Sequence, residues 1–279
     1  MNLDCVLGPT TVKLVNAFRL IKKVGITTFA GTIYYRLSVK LKILSHGRSR
    51  IVSIDGCQFG LHALPDTEMK LELLAGDYEG PERRAARRFI DPAWPVVELG
   101  ACIGVVACVT NKLLANPKAH VVLEASPNAI PHLQANRDAN CCSFRIVNKA
   151  LAYGVTTVTF VPQDDYWRNH MDHDGGHPPV TVMATQLRQL LAEEQFEKFA
   201  LICDIEGREY ELVMQESDAL TKAELIVMEV HPYMIGEEKI QTLLARLHDL
   251  GFKMIEKSKL VVVMSRSEFP VMGLPTEAN

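Results

Sequence analysis

Four short apolar runs constrain this chain more than any other feature. They read PVVELG, AHVVLEAS, FALICDIEG and AELIVMEVHP, beginning at residues 95, 119, 199 and 223. Each is nearly continuous in Val, Leu, Ile and Ala, each is too short for a core helix, and each reaches an acid at or near its end. Such runs are strands buried on both faces, the hallmark of parallel pairing. Segments of helical period separate them: IPHLQANRDAN, TQLRQLLAEEQF, ELVMQESDAL and KIQTLLARLHDLG, the last closing at Gly251, a natural helix C-cap. FRIVNKAL adds a third strand in chain order. TVTFVP and PPVTVMA read as strands on either side of residues 169–177. FKMIE and LVVVMSR form a terminal hairpin through a KSK turn, so one antiparallel strand enters the sheet. The alternation predicts an α/β domain with a mostly parallel sheet and helices on both faces.

Composition excludes some functions. The net charge of −3 offers no basic field for nucleic acid. The seven cysteines are odd in number and form no CxxC pair, which suits a reducing, cytoplasmic setting. No apolar run approaches the roughly 18 residues that span a bilayer, and the N-terminus lacks the apolar core of a signal peptide. Between Asp4 and Asp55 there is no acid, while basic residues run from Lys13 to Arg50. Leu14, Phe18, Ile21 and Val24 share a helical face there. The segment reads either as amphipathic helices covering the main domain or as an interfacial helix making peripheral contact with an anionic membrane. RIVSIDGCQFGLHAL reads as a hairpin turning at Asp55-Gly56. The expected division is an N-terminal helical and hairpin extension over 1–75 and a cofactor-binding domain over 76–279.

The chemistry concentrates at the strand ends. VVELGACIGVVA has Glu98, Gly100 and Gly104 in an E-x-G-x-x-x-G pattern, at a strand-to-helix turn where a ligand can approach the backbone closely. A dinucleotide turn would place its second glycine where Cys102 stands. An acid at this strand end suits a ligand carrying a positive ammonium and sulfonium in place of a phosphate, as S-adenosylmethionine does. Glu124, ending the next strand, can accept both hydroxyls of a ribose, which fits a nicotinamide dinucleotide as well as S-adenosylmethionine. Asp204 and Glu206 leave the third apolar run, and Glu229 and His231 leave the fourth. All four clusters are expected to converge on one crevice.

VVELGACIG, VVLEASPNAIPHLQANRDAN, VNKAL, LICDIEGREYELV and IVMEVHP, in that order, resemble the FkbM-type family of S-adenosylmethionine-dependent methyltransferases. GDYEGPERRAARRFI resembles the family's lead-in helix, with Tyr78 and Glu79 as its Tyr-Glu pair. The resemblance covers roughly residues 50 to 265. It implies the class I methyltransferase (Rossmann-like) fold, a seven-stranded sheet with one antiparallel strand. It implies S-adenosylmethionine as cofactor and methyl transfer to a hydroxyl of a sugar, glycolipid or polyketide-type acceptor. By resemblance, Glu98, Gly100, Ala101, Cys102 and Gly104 hold the methionine part. Glu124 and Ala125 lie at the ribose, Asn148 or Lys149 near the adenine, and Tyr78 at the lead-in. The chain departs from the family's pattern at Glu98 (commonly Asp), Cys102 (commonly Asn), Ala125 (often Pro) and ATQLRQLL, where a Leu-Asp-Asp-type stretch is expected. Asp204, Glu206 and His231 are the candidate bases for removing the acceptor's proton. A nucleotide-binding oxidoreductase and a non-catalytic scaffold of the same fold are the competing function classes.

One stretch stands apart. Residues 169–177, NHMDHDGGH, carry His170, His173 and His177 with two aspartates. Gly175-Gly176 break any helix that would put the histidines on one face. The expected reading is a mobile substrate-facing loop, ahead of a plain solvated loop and a metal site, and no residue is assigned to a metal.

Overall fold

A computed structural model describes residues 51–61, 64, 67–160 and 179–267. The basic segment near the N-terminus and the histidine-rich stretch lie outside the described residues. The described chain opens on the hairpin β1 (Ile51–Ile54) and β2 (Cys57–Gly60). Asp55 and Gly56 both take positive φ, at 49° and 82°, which is the turn whose twist matches antiparallel strands. Helices α1 (Thr67–Ala75) and α2 (Gly80–Phe89) follow. Arg83 and Arg87 of α2 both reach the Asp55 carboxylate, tying the lead-in helix to the hairpin turn.

The main sheet has seven strands: β3 (Val96–Leu99), β4 (His120–Leu123), β5 (Arg145–Val147), β9 (Phe199–Cys203), β10 (Ala223–Glu229), β11 (Lys253–Ser258) and β12 (Val261–Ser265). Their order is β11-β12-β10-β9-β3-β4-β5. β12 runs antiparallel to both its neighbours, and the other pairings are parallel. The terminal hairpin thus supplies the single reversed strand, as its sequence predicts. Alternate residues of the strands feed two cores. Val97, Leu99, Leu201, Cys203, Ile226 and Met228 pack with α5 (Leu187–Glu194), α6 (Glu209–Gln215) and α8 (Glu237–Asp249). Val96, Ala200, Ile202, Leu225 and Val227 pack with Ala85, Ala86 and Phe89 of α2. The β1–β2 hairpin shares a third apolar cluster with α3 (Val105–Asn111) and with Leu133 of α4 (Ile130–Ala139).

β6 (Ala150–Leu151), β7 (Thr157–Phe160) and β8 (Val180–Thr185) form a separate three-stranded sheet, ordered β6-β8-β7. β7 is exposed at alternate positions, whereas β3, β4 and β9 are buried at every one. A strand with one wet face belongs on a small open sheet, not in the doubly covered one.

The stretch ELVMQESDAL, one helix by period, divides into α6 and α7 (Ser217–Leu220). The break falls at Glu216, whose fully buried carboxylate caps α5. It accepts the Leu187 N–H at 2.6 Å, the Arg188 N–H at 3.0 Å and the Tyr153 hydroxyl at 3.2 Å, and it pairs with the Arg188 guanidinium at 3.0 Å. Removing this carboxylate leaves buried donors unmade, so Glu216→Ala is expected to cost about 3 kcal/mol of stability in urea unfolding, with cofactor affinity unchanged.

Candidate functional site

The sheet order reverses direction at β3: β4 and β5 lie on one side, β9 and β10 on the other. In open α/β sheets the crevice outside the carboxyl ends of such strands is where ligands bind. Two loops meet there. The turn after β3 carries Gly100, Cys102 and Gly104 at φ of 83°, 48° and 81°. The turn after β9 carries Glu206 and Gly207 at 50° and 92°. They touch so closely that a Cβ on Gly100 would lie 1.7 Å from the Asp204 carbonyl oxygen. A helix follows each turn, α3 after Gly104 and α6 after Arg208.

Glu124 joins the turn after β3 to the tip of β4. One carboxylate oxygen accepts the Cys102 N–H at 2.7 Å, the other the Ser126 N–H at 2.6 Å. Burial pushes this carboxyl up to about 7, against the lowering effect of those amides. Asn148 brings in the tip of β5 by donating to the carbonyls of Glu124 and Ala125 at 2.8 and 3.1 Å. Lys149 instead turns toward Glu193 of α5, 4.0 Å away. Ala101 is buried within the turn and Ala125 half-buried beyond it. Two predicted residues sit behind the turn. Glu98 is only 1% exposed, and its Oε2 lies 3.5 Å from Nε2 of buried His120. Burial raises the Glu98 carboxyl, while His120 and the Ala107 amide act the other way. Tyr78 is equally buried, its hydroxyl meeting Cys102 and Glu79.

The second half of the crevice is acidic. His231, 2% exposed, holds Nδ1 at 2.9 Å from Oε1 of Glu209. Its Nε2 lies 3.5 Å from Oδ1 of Asp204 and 3.4 Å from Oε2 of Glu206. The structure therefore brings the three predicted bases together. Burial, then Glu229 and Glu206, drives the Asp204 carboxyl well above the usual range. Burial and Glu82 push Glu229 up to about 7. For His231, burial acts downward, but Glu209, Asp204 and Glu206 outweigh it and hold the imidazolium up to about 9. Tyr233, well exposed, stands edge-on to the His231 ring at 5.6 Å.

Sequence reasoning missed Glu209 and Glu82, and it named Glu79 only as half of the lead-in Tyr-Glu pair. Glu209 is fully buried, and its Oε1 also takes the Gly207 N–H at 3.1 Å. Its signal was available: an acid in the first turn of a helix, where unpaired N–H groups await an acceptor. Burial, then Glu82, Asp204 and Glu98, raises Glu79 well above its ordinary value, so the lead-in helix delivers two acids to the same cluster.

A family model described as the methyltransferase FkbM domain matches residues 98–254, more than half of the chain. The chain belongs to the FkbM methyltransferase family. Its fold is the class I, Rossmann-like methyltransferase fold, and its cofactor is S-adenosylmethionine. No curated protein matches its sequence. Among solved structures it is similar to Aeropyrum pernix fibrillarin with natively bound S-adenosyl-L-methionine, at 9% identity and a TM-score of 0.42, over 67% of this chain and 74% of that one. It is also similar to M. jannaschii TYW2 in complex with AdoMet, at 16% identity and a TM-score of 0.42, over 77% and 84% of the two chains. Among the described residues, no helix of this FkbM methyltransferase is long and apolar enough to cross a membrane.

The residues present fit that cofactor. The Glu124 carboxylate gathers the backbone N–H groups of Ser126, Cys102, Ala101 and Ala125 at the tip of β4, where the resemblance places the ribose. The acid cluster across the crevice suits a ligand with two positive groups. The ribose role expected of Glu124 calls for the ionised carboxylate, which it holds only above about pH 7. Cofactor affinity is therefore expected to fall toward about 10-fold per pH unit below 7 in calorimetry. Glu124→Gln is expected to bind about 10- to 100-fold more weakly, with that pH dependence gone. The stability sign is opposite. A carboxyl raised from 4.5 to about 7 contributes fully below pH 4.5, and the contribution, about 3 kcal/mol, is lost as pH climbs through 7.

Proposed function

We propose that this methyltransferase transfers the methyl group of S-adenosylmethionine to a hydroxyl oxygen of a neutral sugar, glycolipid or polyketide-type acceptor. The observation that carries the reading is the place of Asp204. Its backbone abuts Gly100 of the cofactor turn, and its Oδ1 is buried without a hydrogen-bond partner beside Nε2 of His231. An alcohol is a poor nucleophile until its proton is taken, and a carboxylate within hydrogen-bond reach takes it. The cofactor supplies an electrophilic methyl on a sulfonium. Asp204 accepts the hydroxyl proton as the oxygen attacks in line, and His231, held by Glu209, keeps that carboxylate oriented. Glu206 and Glu229 extend the negative lining, which repels phosphorylated or carboxylated acceptors and favours neutral polyols.

The test supplies methyl-labelled cofactor with a panel of neutral sugars, glycolipids and polyketide lactones, each beside a phosphorylated or carboxylated analogue. The expected products are S-adenosylhomocysteine and a methyl ether, with the anionic analogues turned over more slowly. Label on nitrogen or carbon, or preference for the anionic member of each pair, overturns the proposal.

A further inference from the structure

Five carboxyl groups crowd around one imidazole. Asp204, Glu206, Glu209, Glu229 and Glu82 interact around His231. Two of their oxygens, Oδ1 of Asp204 and Oε2 of Glu209, are buried with no hydrogen-bond partner. Glu209 is fully buried, so water cannot serve its free oxygen from outside. A buried carboxylate oxygen without a donor is costly and calls for a cation. The geometry points to a site for one divalent cation held by Asp204, Glu209 and His231.

One ligand atom from each of the three lies within 4.8 Å of those of the other two. A modest inward shift brings such a set around a common ion. The donor chemistry is two carboxylates and an imidazole, which suits Mn2+ among the divalent ions that accept both oxygen and nitrogen. Nδ1 of His231 and Oε1 of Glu209 already face each other at 2.9 Å, a spacing at which both can ligate one ion in place of the shared proton. Glu206 Oε2, 3.4 Å from Nε2, then serves the other ring nitrogen and fixes the orientation of the ligating histidine. The site opens on the crevice beside Tyr233, so an acceptor hydroxyl has access to a remaining position, where an ion lowers the pKa of a bound oxygen. Only this last use of the ion rests on the proposed O-methylation. Binding itself does not.

The experiment titrates the EDTA-treated full chain with Mn2+ alone, without cofactor or acceptor, and reads free Mn2+ by electron paramagnetic resonance. One saturable site per chain is expected. Glu209→Gln and Asp204→Asn are each expected to weaken it about 10- to 100-fold, while His173→Ala in the histidine-rich stretch leaves it unchanged. Far-ultraviolet circular dichroism checks the fold of each variant. If buried Glu209→Gln fails to fold, the partly exposed Asp204→Asn decides. Absence of saturable uptake by the unsubstituted chain overturns the inference. So does uptake that survives Asp204→Asn, or uptake that His173→Ala abolishes. A chain that binds Mn2+ at Asp204 yet methylates nitrogen overturns the proposed function alone.

Discussion

Gly100→Ala is expected to destabilise the folded chain by about 3–5 kcal/mol, and urea unfolding followed by circular dichroism measures it. Two costs add. The residue sits at φ 83°, in the left-handed region that a Cβ disfavours. The new methyl would also lie 1.7 Å from the Asp204 carbonyl oxygen and 2.8 Å from its carbonyl carbon. Both atoms are backbone at the end of a central strand, so relief means parting the tips of β3 and β9. Gly104→Ala is the internal comparison. It shares the positive φ, but its nearest obstacle is Cδ1 of Leu133 at 2.2 Å, the end of a side chain that can rotate away. Its expected cost is smaller, about 1–2 kcal/mol. Equal losses for the two substitutions would contradict the contact between the two turns. Because the same movement displaces Asp204, whatever Gly100→Ala protein does fold is expected to turn over slowly even at saturating cofactor.

Asp204→Asn is expected to lower kcat by about 100- to 10,000-fold, the range that a positioned base supplies. Cofactor affinity is expected to stay within about threefold, because a group that acts on the acceptor proton contributes to the transition state more than to ground-state binding. The substitution preserves shape and removes the proton acceptor. Glu206→Gln tests the neighbour: its Oε2 is as close to His231 Nε2 as Asp204 is, but its side chain is part of the mouth, where it leaves the strand on a turn. A smaller loss for Glu206→Gln than for Asp204→Asn, read as kcat at saturating cofactor, assigns the base. The reverse order transfers the role to Glu206, and full turnover in both variants removes the cluster from the chemistry.

Much of this arrangement is legible in the sequence. Asp55-Gly56 announced its turn by residue type alone. Gly251, at φ 91°, ends the long helix where the sequence placed its cap. The pairing of Gly100 with Gly104, and the acid Glu124 two residues past Val122, follow from local rules in which a few adjacent residues decide the backbone. Glu98 shows where such rules stop. Its neighbours Val97 and Leu99 are apolar and so is Val96, so the strand gives no alternation to say which side is wet. In the folded chain both sides are covered, and Glu98 faces His120 from the adjoining strand.

What the sequence by itself determined is the set of buried parallel strands, the reversed strand of the terminal hairpin, and the glycine turn with Glu124 beside it. These depend on periodicity and backbone conformation, which act over a handful of residues. What only the tertiary structure decided is the grouping of the acids. Glu209 meets His231 across 22 residues of chain, and Glu79 and Glu82 arrive from a helix that precedes β3. Contacts at that separation are set by the order of strands in the sheet and the direction in which each helix returns, and no local pattern encodes them. The crowding of carboxyl groups that follows, on which both the proposed base and the proposed ion depend, exists only once the tips of β3, β9 and β10 stand side by side.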